Sequence, residues 1–169
     1  MAAHDNDRRQ DESIPQHRLM GGGPKEFYRF PDNDSVSEPS GGSGAVRVLI
    51  VDDNDLITEL LSDMFAHQGG YDVRIARNGQ EAVEQFSSFR PQLVILDIML
   101  GDSDGRAICR RIKENTTGGA KVIAMSGYVP MTEIPSLAMN GFDHYLRKPF
   151  RIDDVLRVVD RLELKRKPA

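Results

Sequence analysis

The sequence predicts an α/β domain built on a doubly wound, five-stranded parallel sheet. Three observations carry that expectation. Five short strand-like runs recur within residues 45–163, and those at 48–51, 93–96 and 122–125 are continuous rather than alternating, as in strands buried on both faces. Between them lie segments whose apolar residues recur at helical spacing. Gly, Asn or Asp punctuates nearly every junction. Strands separated by helices imply right-handed crossovers and a sheet covered on both sides.

Val46-Arg47-Val48-Leu49-Ile50-Val51 is the first predicted strand, and acidic residues follow it. Leu56, Ile57, Leu60, Leu61, Met64 and Phe65 then define a helix that Gly69-Gly70 stops. Tyr71 to Ala76 reads as the second strand, and Asn78-Gly79 opens a helix carrying Ala82, Val83 and Phe86. Leu93-Val94-Ile95-Leu96 is the third strand, again followed by an Asp. Ile108, Cys109 and Ile112 mark a helix after Gly105. Val122 to Met125 is the fourth strand. A short helix around Ser136 to Asn140 should start near Pro135, because proline suits a first turn. His144-Tyr145-Leu146 is a brief fifth strand, and Ile152, Val155, Leu156, Val158, Val159 and Leu162 form the closing helix.

Composition sets the limits of this unit. Residues 1–44 are rich in Asp, Asn, Ser, Gly and Pro, with five basic against eight acidic residues. Such a segment buries too little apolar surface to offset its ordering entropy, so it is expected to be a disordered tail closed by a Gly/Ser linker. Its Lys25-Glu26-Phe27-Tyr28-Arg29-Phe30 patch stands out as aromatic; it reads as a sticky spot, a short partner-binding strand or, last because no helix-turn-helix pattern precedes it, a remnant of a small DNA-binding wing. Residues 45–163 make one domain, and 164–169 a short basic tail. The net charge of −4 offers no basic field for nucleic acid, which is not an expected partner. No apolar run approaches the roughly 18 residues of a membrane span, and the polar N-terminus is not a secretory signal. Cys109 is the one cysteine, which excludes an intramolecular disulfide and fits a cytoplasmic protein.

In a doubly wound sheet, ligands sit outside the carboxyl ends of the strands. There the sequence places Asp52-Asp53 after the first strand, Asp97 after the third, Ser126 after the fourth and Lys148-Pro149 after the fifth. Each alone has a plain explanation. Asp52-Asp53 could cap a helix, and Asp97 could be a turn residue. Together, each follows its own strand in order. Three converging carboxylates repel unless a cation neutralises them, and an open cluster of hard oxygens suits Mg²⁺ better than zinc. Lys148 adds a second positive charge and Ser126 a hydroxyl, which makes a cradle for a phosphoryl group with an Asp as acceptor.

On these residues the chain resembles the receiver domains of two-component response regulators, the chemotaxis-regulator-like family, over residues 46–163. The paired acids match Asp52-Asp53, the phosphoacceptor matches Asp97, and the Ser or Thr after the fourth strand matches Ser126. The Lys-Pro matches Lys148-Pro149, and the aromatic three residues before that Lys matches Tyr145. The family usually carries Pro four residues after the acceptor; Gly101 stands there instead, which puts the stiffness of that loop in question. Gly105 matches the usual Gly at eight.

The resemblance implies a flavodoxin-like strand order of 2-1-3-4-5, a detail the sequence pattern alone does not give. It implies that Asp97 takes a phosphoryl group from a histidine kinase or phosphotransfer protein, as in a phosphorelay. Mg²⁺ would be held by Asp53, Asp97 and the main-chain oxygen of Met99, with Asp52 acting mostly through water. Lys148 and Ser126 would meet the phosphoryl oxygens, and Ser126 with Tyr145 would switch the face made by the fourth helix, fifth strand and fifth helix. The Lys148-Pro149 bond is expected to be cis. The protein would be a phosphoacceptor that catalyses only its own phosphoryl transfer and slow dephosphorylation. Two rivals are a dehalogenase-type phosphohydrolase using Asp53 and Asp55, and a phosphate-independent interaction module. The first lacks an acidic pair after the fourth strand, where Ser126-Gly127-Tyr128 stands; the intact Asp53, Asp97 and Lys148 oppose the second.

Overall fold

The computed structural model describes residues 44–101, 103–115 and 119–164. Apart from Gly44 and Leu164, the two predicted tails lie outside these residues, as does the Phe27–Phe30 patch. The elements run β1 (Val46–Val51), α1 (Asp55–Gln68), β2 (Tyr71–Ala76), α2 (Gly79–Phe89) and β3 (Leu93–Asp97). A two-residue pair, β4 (Met99–Leu100) and β5 (Ser103–Asp104), precedes α3 (Gly105–Glu114). Then come β6 (Lys121–Ser126), α4 (Ile134–Met139), β7 (His144–Arg147) and α5 (Ile152–Arg161).

Five strands form one sheet in the order β2-β1-β3-β6-β7, every pair parallel. Because β4 and β5 lie outside this sheet, β6 and β7 are the fourth and fifth strands of the expected order. The flavodoxin-like topology is therefore the one found. Strand residues alternate between two cores, which is why the runs at 93–96 in β3 and 122–125 in β6 are apolar without a gap, whereas the edge strand β2 carries Asp72 and Arg74 between its apolar residues. Val48, Ile50, Ile95 and Ile123 pack with Leu61 and Phe65 of α1 and Val155 and Val159 of α5. Leu49, Val51, Leu96 and Val122 pack with Phe86 of α2, Ile108 and Ile112 of α3 and Leu137 of α4.

The starts of α1, α2 and α3 are set by side-chain caps. Asn54 Oδ1 accepts from the Leu56 amide (3.0 Å), Asn78 Oδ1 from Glu81 (2.8 Å) and Asp104 Oδ1 from Arg106 (2.8 Å). α4 lacks such a cap; it begins at Ile134 with Pro135 in its first turn, close to the expected start.

The β4–β5 ladder was not anticipated. Met99 pairs with Asp104 and Leu100 with Ser103, while Leu100 is buried, so the acidic loop after β3 is tied rather than loose. Two residues per strand are too few to leave a readable period. At its end a Cβ on Gly105 would lie 2.2 Å from the Asp97 carbonyl oxygen, so only glycine lets α3 start this close to β3.

The opposite edge of the sheet is fastened by Asp143. Its Oδ2 accepts from Lys113 Nζ (2.7 Å) and the Val122 amide (2.8 Å), and its Oδ1 from Lys121 Nζ (2.9 Å). Burial alone would raise its pKa, but the Lys113, Val122 and Lys121 bonds outweigh burial and hold it below the ordinary 3.8. A lowered carboxyl pKa gives stability that is complete above the unfolded value and is lost as pH falls through the folded one. Asp143→Ala is expected to cost about 1–2 kcal/mol at neutral pH, less than a dry charged bond because water reaches the lysines. Urea unfolding of both proteins checks this: the gap should narrow below about pH 4, near the unfolded carboxyl value. A gap that stays constant down to pH 2 would refute the charge argument.

Candidate functional site

Parallel register brings the predicted polar groups onto one rim. Val51 lies beside Leu96, so Asp52 and Asp97 follow on adjacent strands. Asp97 lies beside Met125, and Ser126 beside Arg147, so Ser126 and Lys148 come next along the same edge. The Lys148 amide donates to the Ser126 carbonyl (2.8 Å) and the Lys148–Pro149 bond is cis.

Lys148 sits between two carboxylates. Its Nζ donates to Asp52 Oδ2 at 2.6 Å and to Asp97 Oδ2 at 2.7 Å. The second oxygen of each acid is held by main chain: Asp52 Oδ1 accepts from the Asn54 amide and Asp97 Oδ1 from the Met99 amide, both at 2.9 Å. Asp52 and Asp97 are buried, whereas Asp53 is exposed. Burial pushes the Asp52 carboxyl above its ordinary value, and the Lys148 and Asn54 bonds offset only part of that. Burial also acts to lower the Lys148 pKa, but its bonds to Asp52 and Asp97 outweigh it, so Lys148 stays charged.

Asp52, Asp53 and Asp97 each offer one oxygen, and these oxygens lie within 4.8 Å of one another. The donors are all hard, and one side of the cluster opens to solvent through Asp53. That set fits a small divalent cation that keeps some of its waters.

Ser126 is buried, and its hydroxyl is engaged in a turn. Its Oγ donates to the Tyr128 carbonyl (3.2 Å) and accepts from the Tyr128 amide (3.3 Å). Tyr145 is half-buried against the α2–α3–α4 core, and its hydroxyl donates to the Ser126 carbonyl at 3.4 Å. Met99 and Tyr128 expose 71% and 78% of their surfaces, so their side chains face solvent while their backbones bond Asp97 and Ser126.

Asp52, Asp53, Asp97, Met99, Ser126 and Lys148 therefore lie on this rim, and Tyr145, inside β7 beside Ala124, reaches it through its hydroxyl. The main-chain donors at Asn54 and Met99 escaped the sequence reading, because an amide leaves no signature in residue type. No helix among the described residues is long and apolar enough to cross a membrane.

The comparisons agree with this geometry. The transcriptional regulatory protein TrcR of Mycobacterium tuberculosis is 36% identical over 111 residues, 66% of this chain and 42% of TrcR. The chain thus spans less than half the length of that relative. A crystal structure of a two-component response regulator from Clostridium difficile superposes with a TM-score of 0.65 at 26% identity, covering 69% of this chain and 94% of that one. A CheY-like receiver domain protein from Methanospirillum hungatei gives 0.65 and 26%, covering 70% and 93%. Residues 48–160 match the response regulator receiver domain family. By sheet order, rim and sequence match alike, the chain belongs to the response regulator receiver domain family, whose members serve phosphorylation-based signalling.

Proposed function

We propose that this chain accepts a phosphoryl group on Asp97 from a histidine kinase or phosphotransfer protein and changes its protein-binding surface in response. The observation that carries the reading is Asp97 itself. It ends the central strand, fixed on one oxygen by the Met99 amide and on the other by an ammonium that also neutralises Asp52. A nucleophile so placed needs little from the protein beyond positioning and charge compensation.

An Asp97 oxygen attacks phosphorus in line; the P–N bond of the donor phosphohistidine breaks and its electron pair returns to the imidazole. Lys148 moves from the carboxylate to the new phosphoryl oxygens, where its charge offsets theirs. The Ser126 hydroxyl exchanges its Tyr128 carbonyl for a phosphoryl oxygen. Tyr145, bonded to the Ser126 carbonyl, registers that shift and carries it to the α4–β7–α5 face. Exposed Met131 and Met139 give that face an apolar surface for a protein target. Mg²⁺ would be held by Asp53, Asp97 and the Met99 carbonyl, with Asp52 through water, and would neutralise charge that the cluster and the phosphoryl group bring together.

The functional unit in this reading is residues 45–163, working in the cytoplasm. TrcR is a transcriptional regulatory protein, but the output assigned here runs through protein contact. The test is incubation with acetyl phosphate and Mg²⁺ followed by intact-mass measurement. One added phosphoryl group, mapped to Asp97, is the expected result; no adduct, or one on another residue, overturns the reading.

The same geometry bears on how long the phosphoryl group lasts. Hydrolysis needs a water in line with the P–O bond. Met99 and Tyr128 stand beside Asp97 and Ser126, and neither is a carboxylate or amide that would orient that water. The phosphorylated state is expected to persist rather than reset in seconds. Met99→Asn and Tyr128→Glu are each expected to speed phosphate loss about tenfold, below the full general-base range because they only orient water. Decay of purified phosphoprotein measures this, and unchanged rates in both variants refute it.

A further inference from the structure

Gly101 occupies the position at which the receiver pattern usually carries proline, and the structure gives that departure a role. Asp52 is held by Lys148 and Asn54, and Asp97 by Lys148 and Met99. Asp53, the exposed acid of the three, is held among the described residues by one group: the Gly101 amide donates to its Oδ2 at 3.3 Å. A proline has no N–H to give, so the usual residue could not make this bond. Space points the same way, since a Cβ on Gly101 would stand 3.2 Å from that same Oδ2. The amide reaches this oxygen because no side chain intervenes. The β4–β5 ladder, with Met99 paired to Asp104 and Leu100 to Ser103, presents Gly101 to the rim.

We propose that Gly101 is a positioning residue for the divalent-cation site, its backbone N–H orienting the Asp53 carboxylate toward Asp52 and Asp97. The inference rests on the metal reading given above and adds to it a donor particular to this chain. A carboxylate has about four lone-pair sites, so one N–H on Oδ2 leaves the others free for a cation. An exposed Asp that is already oriented gives up less rotamer freedom when it binds. Partners that orient a metal ligand in this way change affinity about 10–100-fold when removed.

The test uses the full chain and Mg²⁺ alone, titrated by calorimetry. Gly101→Pro, which removes the donor, is expected to weaken Mg²⁺ about tenfold, the lower end of that range because the bond is long and solvent-facing. Gly101→Ala keeps the N–H and crowds Oδ2, and should weaken it less. A second measurement needs no metal and no Gly101 variant: in metal-free protein, Asp53→Ala should move the Gly101 amide proton upfield and speed its exchange. Mg²⁺ uptake by the wild type with an unchanged Gly101→Pro affinity overturns the inference alone. A wild type that takes up no Mg²⁺ overturns the metal reading and this inference with it. Should Gly101→Pro fail to fold, the amide measurement decides, and a Gly101 resonance indifferent to Asp53→Ala overturns the proposal.

Discussion

Asp97→Asn is expected to abolish phosphoryl uptake from acetyl phosphate while leaving the protein folded. The substitution keeps the shape of the side chain, and its amide oxygen can still accept from the Met99 N–H that now bonds Asp97 Oδ1. What it removes is the nucleophile. A carboxamide forms no acyl phosphate, so the loss should be complete by intact mass, beyond the roughly 10²–10⁴-fold that a single assisting group contributes. The fold should tolerate the change, because Lys148 keeps Asp52 as its partner at 2.6 Å and no buried cation is left alone. One of two neighbouring carboxylates also disappears, which relieves repulsion. The urea midpoint should therefore shift by less than about 1 kcal/mol equivalent, as at a site with no cavity and no orphaned charge. Labelling of Asp97→Asn at the wild-type level would show that another residue is the acceptor. Loss of both labelling and folding would show that Asp97 is needed chiefly for structure.

How much of this could be read from the sequence varies along the chain for physical reasons. β3 was plain, since Leu93 to Leu96 are all buried and their run is unbroken by any polar residue. The start of α2 at Asn78 was readable because a cap is a local hydrogen bond between a side chain and the next turn, whereas the cap of α1 is Asn54 and not the Asp52-Asp53 pair before it. The rim was readable because parallel strands separated by helices place their ends together, whatever lies between. Pairing within the rim was not. That Lys148 bridges Asp52 and Asp97 rather than meeting Asp53 depends on burial, which tertiary packing alone decides. The Ser126 hydroxyl could equally have pointed at Asp97, and it is a turn with Tyr128 that holds it back. The Gly101 departure was visible in the sequence, but its amide donor to Asp53 appears only in three dimensions.

Lys148→Met should separate the chemistry of the rim from its stability. In the wild type one ammonium neutralises two buried carboxylates, Asp52 and Asp97. Methionine has similar length and no charge, so the loss is electrostatic rather than a cavity. Phosphoryl transfer from acetyl phosphate is expected to fall about 10²–10³-fold, the effect of removing one fixed donor from a developing anion. Stability should also fall, by less than the roughly 3–5 kcal/mol of a broken buried pair because Lys148 is partly open to water. The pH dependence carries the sharper test. Lys148 acts to lower the pKa of Asp52, which burial already raises; without it that pKa rises further. A folded carboxyl with a raised pKa binds a proton that the unfolded chain does not, so the variant should gain stability as pH falls from 7 toward the unfolded carboxylate value near 4. Mg²⁺ affinity should increase in the same variant, because a cation competing for the cluster is gone. The joint outcome distinguishes the roles: slower transfer with tighter Mg²⁺ places Lys148 at the phosphoryl group. Unchanged transfer, or Mg²⁺ binding that weakens with it, would mean that the ammonium serves only to hold the two carboxylates together.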